Sequence, residues 1–140
     1  SRRDLQGHMD IGLSRSTDGG KSWGIPRPIM DMGRYGGLPE DLNGCSDPNI
    51  LVDGESGEIF VSALWTHGKP NTHQWRDKGS EPGLEIGVSS QFMVVRSTDD
   101  GQTWSKPENW TQKLKNPQLR KKPHLPRCLH LLKRNKHLSW

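Results

Sequence analysis

The chain has 140 residues, a net charge of +4, 29% hydrophobic residues and a mean hydropathy of −0.88. This apolar content is low for a self-contained globular domain of that size, and no apolar run approaches the length of a membrane span. Two cysteines, Cys45 and Cys128, are too few for a disulfide framework or a cysteine-based metal site. The chain starts Ser-Arg-Arg-Asp without a signal-peptide pattern; we expect this start to be cut, and it indicates no compartment.

The first half of the sequence predicts a hairpin followed by a loop. Residues 8–16 predict a strand, and the two prolines of the return strand, 22–29, suit the outer edge of a sheet. Residues 30–46 are rich in Gly and Pro and contain the single tyrosine, Tyr35, so we expect a loop there.

The middle of the chain predicts four consecutive strands. Runs rich in Val, Ile and Phe are separated by a short turn and by a long loop of His, Gly, Pro and charged residues. We expect the strands at 47–53, 58–65, 89–97 and 103–110, the turn at 54–57 and the long loop at 66–88.

One turn motif, S-x-D-x-G-x-[ST]-W, occurs at residues 16–23 and again at 97–104. Its Asp carboxylate is suited to accept hydrogen bonds from the backbone N–H groups that follow it, and its Gly permits a positive φ. The Ser or Thr hydroxyl is expected to form a hydrogen bond at the far end of the turn, and the Trp side chain to pack under the loop as a lid. A calcium loop of the EF-hand type is disfavoured, because neither copy has ligands at every second position or a Glu at the twelfth.

The order of these elements predicts an all-β fold that is part of a β-propeller. Two strands, a loop and then four antiparallel strands amount to about one and a half four-stranded blades, with one turn motif in each. Propellers close with about four to eight blades, so we interpret the chain as a fragment. We expect the partial propeller to occupy residues 1–115.

The turn motifs are Asp boxes, or bacterial neuraminidase repeats, which occur in several unrelated propellers. Three further stretches narrow the resemblance: RDLQGHMDIGLSRS at 3–16, SDPNILVD at 46–53 and LWTHG at 64–68. Together with the Asp boxes, they resemble the sequences of bacterial exo-α-sialidases. The resemblance implies a six-bladed propeller that binds terminal sialic acid at its central mouth. In that family three arginines hold the carboxylate, a Tyr assisted by a Glu is the nucleophile, and an Asp is the acid/base.

Residue by residue, the resemblance assigns roles to five positions. Asp4 matches the acid/base aspartate, which lies twelve positions before the first Ser of the Asp box, here Ser16; the alternative is a surface or helix-capping Asp. Asp47 matches the aspartate that bonds the sugar 4-hydroxyl, although it could simply cap the strand before Pro48. Trp65 resembles the tryptophan that lines the N-acyl pocket, and Trp75 and Gln91 are weaker substrate-binding candidates.

No metal or other cofactor is expected. His67 and His73 could form a metal pair, but no third ligand has suitable spacing, so we interpret them as loop histidines.

The resemblance also identifies what this chain does not match. The first clamp arginine should precede Asp4 by five or six positions, and Arg2 and Arg3 lie too near to match it. The other arginines, the nucleophilic Tyr and its Glu belong to later blades, and Tyr35 is expected in a peripheral loop. We therefore expect this chain alone to be inactive.

Residues 116–140 form a basic tail with seven Lys or Arg and no Asp or Glu, which leaves a net charge of about −3 for the rest of the chain. The family would continue here with an aromatic, Gly-rich run, so we expect the tail to lie outside the fold. A frameshifted or misjoined end is favoured over an unrelated extension. A nucleic-acid-binding arm is disfavoured, because the tail has no aromatic interleaving before Trp140.

The function implied by the resemblance is hydrolysis of terminal sialic acid from glycoproteins, glycolipids or oligosaccharides. No nucleic acid partner is expected, and a secreted, periplasmic or cell-surface location follows from the resemblance alone. A non-catalytic Asp-box propeller that binds glycans or acts as a scaffold stays open as the alternative. A trans-sialidase also stays open.

Overall fold

The computed structural model describes residues 8–69 and 81–115. Their strands form two antiparallel sheets, a two-stranded sheet followed by a four-stranded one. Three residues with predicted roles, Asp4, His73 and Trp75, lie outside the described residues. The predicted tail at 116–140 also lies outside them.

The two-stranded sheet pairs β1 (Ile11–Leu13) with β2 (Arg27–Met30) around the first Asp box. The first strand is shorter than predicted, but Met9 extends it by a parallel bridge to Gly44. Its N–H donates to the Asn43 carbonyl at 3.3 Å, and its carbonyl accepts from the Cys45 N–H at 2.9 Å. These bonds connect the first segment to the four-stranded sheet.

The four-stranded sheet has the order β3-β4-β5-β6, in which every strand pairs with its neighbour in sequence. Its strands are β3 (Asn43–Val52), β4 (Ile59–His67), β5 (Gln91–Ser97) and β6 (Glu108–Asn109). A short helix, α1 (Thr111–Lys115), follows. Two sheet strands followed by a four-stranded meander confirm the predicted partial propeller.

The core lies between the two sheets. On β4 the side chains of Val61, Ala63 and Trp65 are buried at every second position, as a half-buried strand requires. Their partners on β5 include Met93 and Val95, and the cluster is completed by residues of the first sheet and β3: Ile11, Ile29, Met30 and Cys45. Each large apolar side chain buried here contributes about 1.5–3 kcal/mol.

The prediction of a loop over 30–46 was wrong at both ends. β2 includes Met30 and β3 already begins at Asn43, while two 3₁₀ turns, Tyr35–Gly37 and Glu40–Leu42, lie between them. Tyr35 is not peripheral, because its ring packs edge-on against Trp65 with 5.0 Å between the ring centroids. The Gly-rich composition of the segment conceals this contact, which joins residues far apart in sequence.

The strand that returns from the second Asp box was predicted at 103–110 and is limited to Glu108–Asn109. None of the helices in the described ranges has the length and hydrophobicity needed to span a bilayer.

Candidate functional site

The two Asp boxes have the same internal hydrogen bonds. In the second, Asp99 Oδ1 accepts from the Thr103 N–H at 2.8 Å and from the Ser97 hydroxyl at 2.8 Å, and Oδ2 accepts from the Thr103 hydroxyl at 2.6 Å. Asp18 has the equivalent bonds to Ser16 and Ser22. Both Gly residues at the fifth position have positive φ, as predicted.

These bonds favour the ionised carboxylate, so they lower the pKa of Asp18 and bring that of Asp99 down to about 2. Each carboxylate is used by its own turn, which indicates a structural role. The predicted tryptophan lid needs one correction. Trp104 is half-buried and packs against the core, but Trp23 is 65% exposed, although both indoles donate to the carbonyl of the fifth-position glycine at 3.2 Å.

Trp65 and Gln91 lie at the end of the four-stranded sheet opposite the second Asp box, whereas Asp47 lies near the middle of β3. The register pairs Cys45 with Trp65 and Trp65 with Gln91, whereas Ser97, which opens the Asp box, pairs with Ile59. The sheet therefore brings Trp65 and Gln91 side by side. We call this end of the sheet the Trp65 end; it includes Asn43, His67 and Asn109.

Asp47 is exposed on β3, where the register shifts between Ser46 and Asn49. Its φ of 53° is unusual for a residue other than glycine, and the following Pro48 restricts it further. Such a conformation costs about 1–3 kcal/mol and is concentrated at functional sites, and a bulge re-aims a side chain. The backbone therefore holds the Asp47 carboxylate in a special position, with one hydrogen bond from the Ser46 hydroxyl at 3.2 Å.

Trp65 is fully buried. Its ring contacts two others, the Tyr35 ring edge-on and the His67 ring stacked at 24° with 6.4 Å between centroids. Among the described residues its indole N–H has no hydrogen-bond partner, and an unpaired buried donor costs about 1–3 kcal/mol. Trp65 was predicted to line the N-acyl pocket with an aromatic wall, and its side chain is buried and not exposed on a pocket surface.

Gln91 is 1% exposed, and both ends of its amide are paired. Its Nε2 donates to the Ser89 carbonyl at 2.8 Å and to the Glu85 carbonyl at 3.2 Å. Its Oε1 accepts from Asn109 Nδ2 at 2.9 Å, and the same nitrogen donates to the Tyr35 hydroxyl at 2.8 Å. Gln91 thus connects the loop before β5 to β6 and to the 3₁₀ turn.

His67 is the last residue of β4 and not a loop histidine, which corrects that prediction. Its Nδ1 lies 2.6 Å from Asn43 Oδ1, and Asn43 Nδ2 donates to the Gly33 carbonyl at 2.6 Å. Burial lowers the pKa of His67, opposed by the Asp41 carboxylate. No sequence pattern predicts a role for Asn43 or Asn109, since a polar residue at a strand end has no periodicity.

Cys45 and a cluster of acidic residues around His8 lie near the first sheet. Burial, with smaller effects of Asp10 and Asp31, raises the pKa of Cys45 to about 12, so this thiol is a poor nucleophile. Among the described residues, His8, Asp10 and Asp31 form the only group of three or more His, Cys, Asp or Glu residues whose possible ligand atoms all lie within 4.8 Å of one another. Close exposed acidic groups are common without a metal, and we assign none.

A meandering four-stranded sheet with an Asp box between its last two strands defines the class of the protein as a β-propeller with Asp-box blades.

The chain is 48% identical over 114 residues to a sialidase of Bacteroides fragilis (strain YCH46), covering 81% of this chain and 21% of that protein. It is 34% identical over 108 residues to a sialidase of Micromonospora viridifaciens, covering 73% and 14%. No protein-family model matches the chain.

The solved structure of a Hadza microbial sialidase, Hz136, superposes with a TM-score of 0.72 at 47% identity and covers 80% of this chain and 22% of that one. The chain belongs to the bacterial sialidase family. It spans about a fifth or less of the length of the relatives it matches.

Proposed function

We propose that this chain forms the Asp4-bearing part of an exo-α-sialidase, a glycoside hydrolase that releases terminal sialic acid from glycoproteins, glycolipids or oligosaccharides with retention. The observation that carries this proposal is the 48% identity to the Bacteroides fragilis sialidase over 81% of the chain. The chain supplies the acid/base aspartate and part of the sugar-binding pocket. The arginine clamp and the Tyr/Glu nucleophile pair belong to other blades of the complete enzyme.

Asp4 is the proposed acid/base. It lies five residues before Met9, and Met9 is hydrogen-bonded to Asn43 and Cys45 at the Trp65 end. Five residues of extended chain span at most about 17 Å, so Asp4 is within reach of that end. There it would protonate the glycosidic oxygen of the leaving group and then activate water, with no cofactor.

Asp47 is the proposed partner of the sugar 4-hydroxyl. An exposed carboxylate in a strained backbone position is suited to this task, because the backbone that directs the side chain is set before the sugar arrives. The hydroxyl would donate to the carboxylate, and such a charge-assisted bond is stronger than a neutral one.

Trp65 is the proposed aromatic wall of the N-acyl subsite, in line with the mostly apolar lining of sugar and cofactor pockets. Trp65 is buried and its ring contacts those of Tyr35 and His67, so we expect a ligand to meet it together with these two side chains. Gln91 and Trp75 are weaker substrate-binding candidates. Both ends of the Gln91 amide are already paired with protein groups, so a direct bond to the sugar would break one of those pairs.

A chimera tests the proposal. The segment of the Bacteroides fragilis sialidase that aligns with this chain is replaced by residues 1–115, and release of sialic acid from sialyllactose is measured. We expect activity, and we expect its loss when Asp47 in the chimera is changed to Ala. A chimera that unfolds cooperatively but has no activity would contradict the proposal and favour a non-catalytic Asp-box propeller. Thermal unfolding of the chimera and the parent separates inactivity from misfolding.

A further inference from the structure

The side chain of Asn43 has a defined orientation. Asn43 is 2% exposed and lies opposite His67 across the β3–β4 pair. Its terminal amide faces the Gly33 carbonyl on one side at 2.6 Å and His67 Nδ1 on the other at 2.6 Å. Because a carbonyl only accepts hydrogen bonds, the Asn43 nitrogen must face Gly33 and its oxygen must face His67.

This orientation determines the tautomer of His67. An amide oxygen has no proton to give, so the bond between Asn43 Oδ1 and His67 Nδ1 requires the proton on Nδ1. In the neutral ring the other nitrogen, Nε2, then carries a lone pair and is a hydrogen-bond acceptor. Burial favours this neutral form, because it disfavours the charged ring.

The ring of His67 is also held in place. It stacks on Trp65 and remains half-buried, so part of it is accessible to a ligand at the Trp65 end. A fixed, neutral acceptor discriminates between ligand groups: it pairs with an O–H or N–H donor, whereas a carboxylate would face the lone pair unfavourably.

We propose that His67 is a specificity-determining residue whose Nε2 accepts a hydrogen bond from a hydroxyl or acylamino N–H of the bound sugar. This inference rests on the proposed function, since it assumes that the sugar occupies the Trp65 end. Asn43 is its positioning residue, which fixes the tautomer through the Gly33 carbonyl.

The tautomer is tested in the 140-residue chain without any ligand. Long-range ¹H–¹⁵N correlation spectra near neutral pH distinguish a protonated from an unprotonated ring nitrogen. We expect the proton of His67 on Nδ1, and we expect a mixture of tautomers in the Asn43→Leu variant. A proton on Nε2 in the unmodified chain would overturn the inference, whatever the chain binds.

Ligand contact is tested in the chimera with the Bacteroides fragilis sialidase, which restores the arginine clamp. The chimera carries Asp4→Asn to slow hydrolysis and is titrated with the methyl α-glycoside of N-acetylneuraminic acid. We expect the His67 Nε2 resonance to shift, and the dissociation constant to rise about tenfold in His67→Phe, which keeps a ring on Trp65 but loses the acceptor. His67→Gln, which restores an acceptor, should recover most of this loss. An analogue with a hydrogen atom in place of the acylamino group identifies the donor, because the difference between the His67 and Phe forms would disappear only if the lost N–H was the partner.

Shifts at Asp47 and Trp65 with no change at His67 Nε2, or equal binding by the two forms for both sugars, would overturn the inference and leave the proposed function intact. An absence of shifts at every residue would contradict the proposed site itself and the inference with it.

Discussion

Replacing Gln91 by Met separates the structural role of this residue from its predicted role in sugar binding. The two side chains have similar lengths and volumes, so no large cavity forms. The change removes the bonds to the Ser89 and Glu85 carbonyls and the bond from Asn109. Each of the three bonds is worth about 0.5–1.5 kcal/mol net. We expect a total loss of about 2–4 kcal/mol in the free energy of unfolding.

Urea denaturation followed by tryptophan fluorescence measures this loss. With an m-value of about 2 kcal/mol per M, the midpoint should fall by about 1–2 M at unchanged m. Gln102→Met is the matched control, because the Gln102 side chain is exposed and the substitution should change stability by less than about 0.5 kcal/mol. An equally small change in Gln91→Met would refute the hydrogen-bond argument and restore Gln91 as a direct ligand candidate.

Two further predictions concern the second Asp box. The pKa of Asp99 is about 2, below the usual 3.8, so its stabilising effect is fully present above pH 3.8 and is lost as the pH falls through 2. Asp99→Asn should therefore lower the urea midpoint near pH 7 and have much less effect near pH 2; an equal loss at both pH values would contradict this. Gly101 has a φ of 76°, so Gly101→Ala should cost about 1–2 kcal/mol by the same assay. Gly54→Ala is its control, since Gly54 has no positive φ and open space around its Cα; equal effects would show that backbone strain is not the cause.

The features that the sequence predicted well are local or periodic. The S-x-D-x-G-x-[ST]-W motif contains all donors and acceptors of its turn within eight residues, so its hydrogen bonds follow from the sequence alone. The alternation of buried residues on β4 likewise fixes which side chains face the core.

The features that were missed depend on contacts between distant residues. The Tyr35 hydroxyl accepts a hydrogen bond from Asn109, which lies 74 positions later in the chain. No local sequence pattern predicts that pairing. The orientation of His67 through Asn43 and Gly33 depends in the same way on three segments meeting. The roles of Asp47, Trp65 and Gln91 stay predictions. The structure supplies a strained, exposed position for Asp47, whereas it buries Trp65 and Gln91.

Asp4→Asn in the chimera tests the proposed role of Asp4 as the general acid. Natural glycans leave as alcohols that need a proton as the bond breaks, whereas aryl sialosides leave as stable phenolates. The rate of sialic acid release should therefore fall more for sialyllactose than for the aryl substrate's first step, by a further factor on the order of a hundred. Equal losses for both substrates, or no loss, in a variant with the unfolding temperature of the unmodified chimera, would contradict the claim.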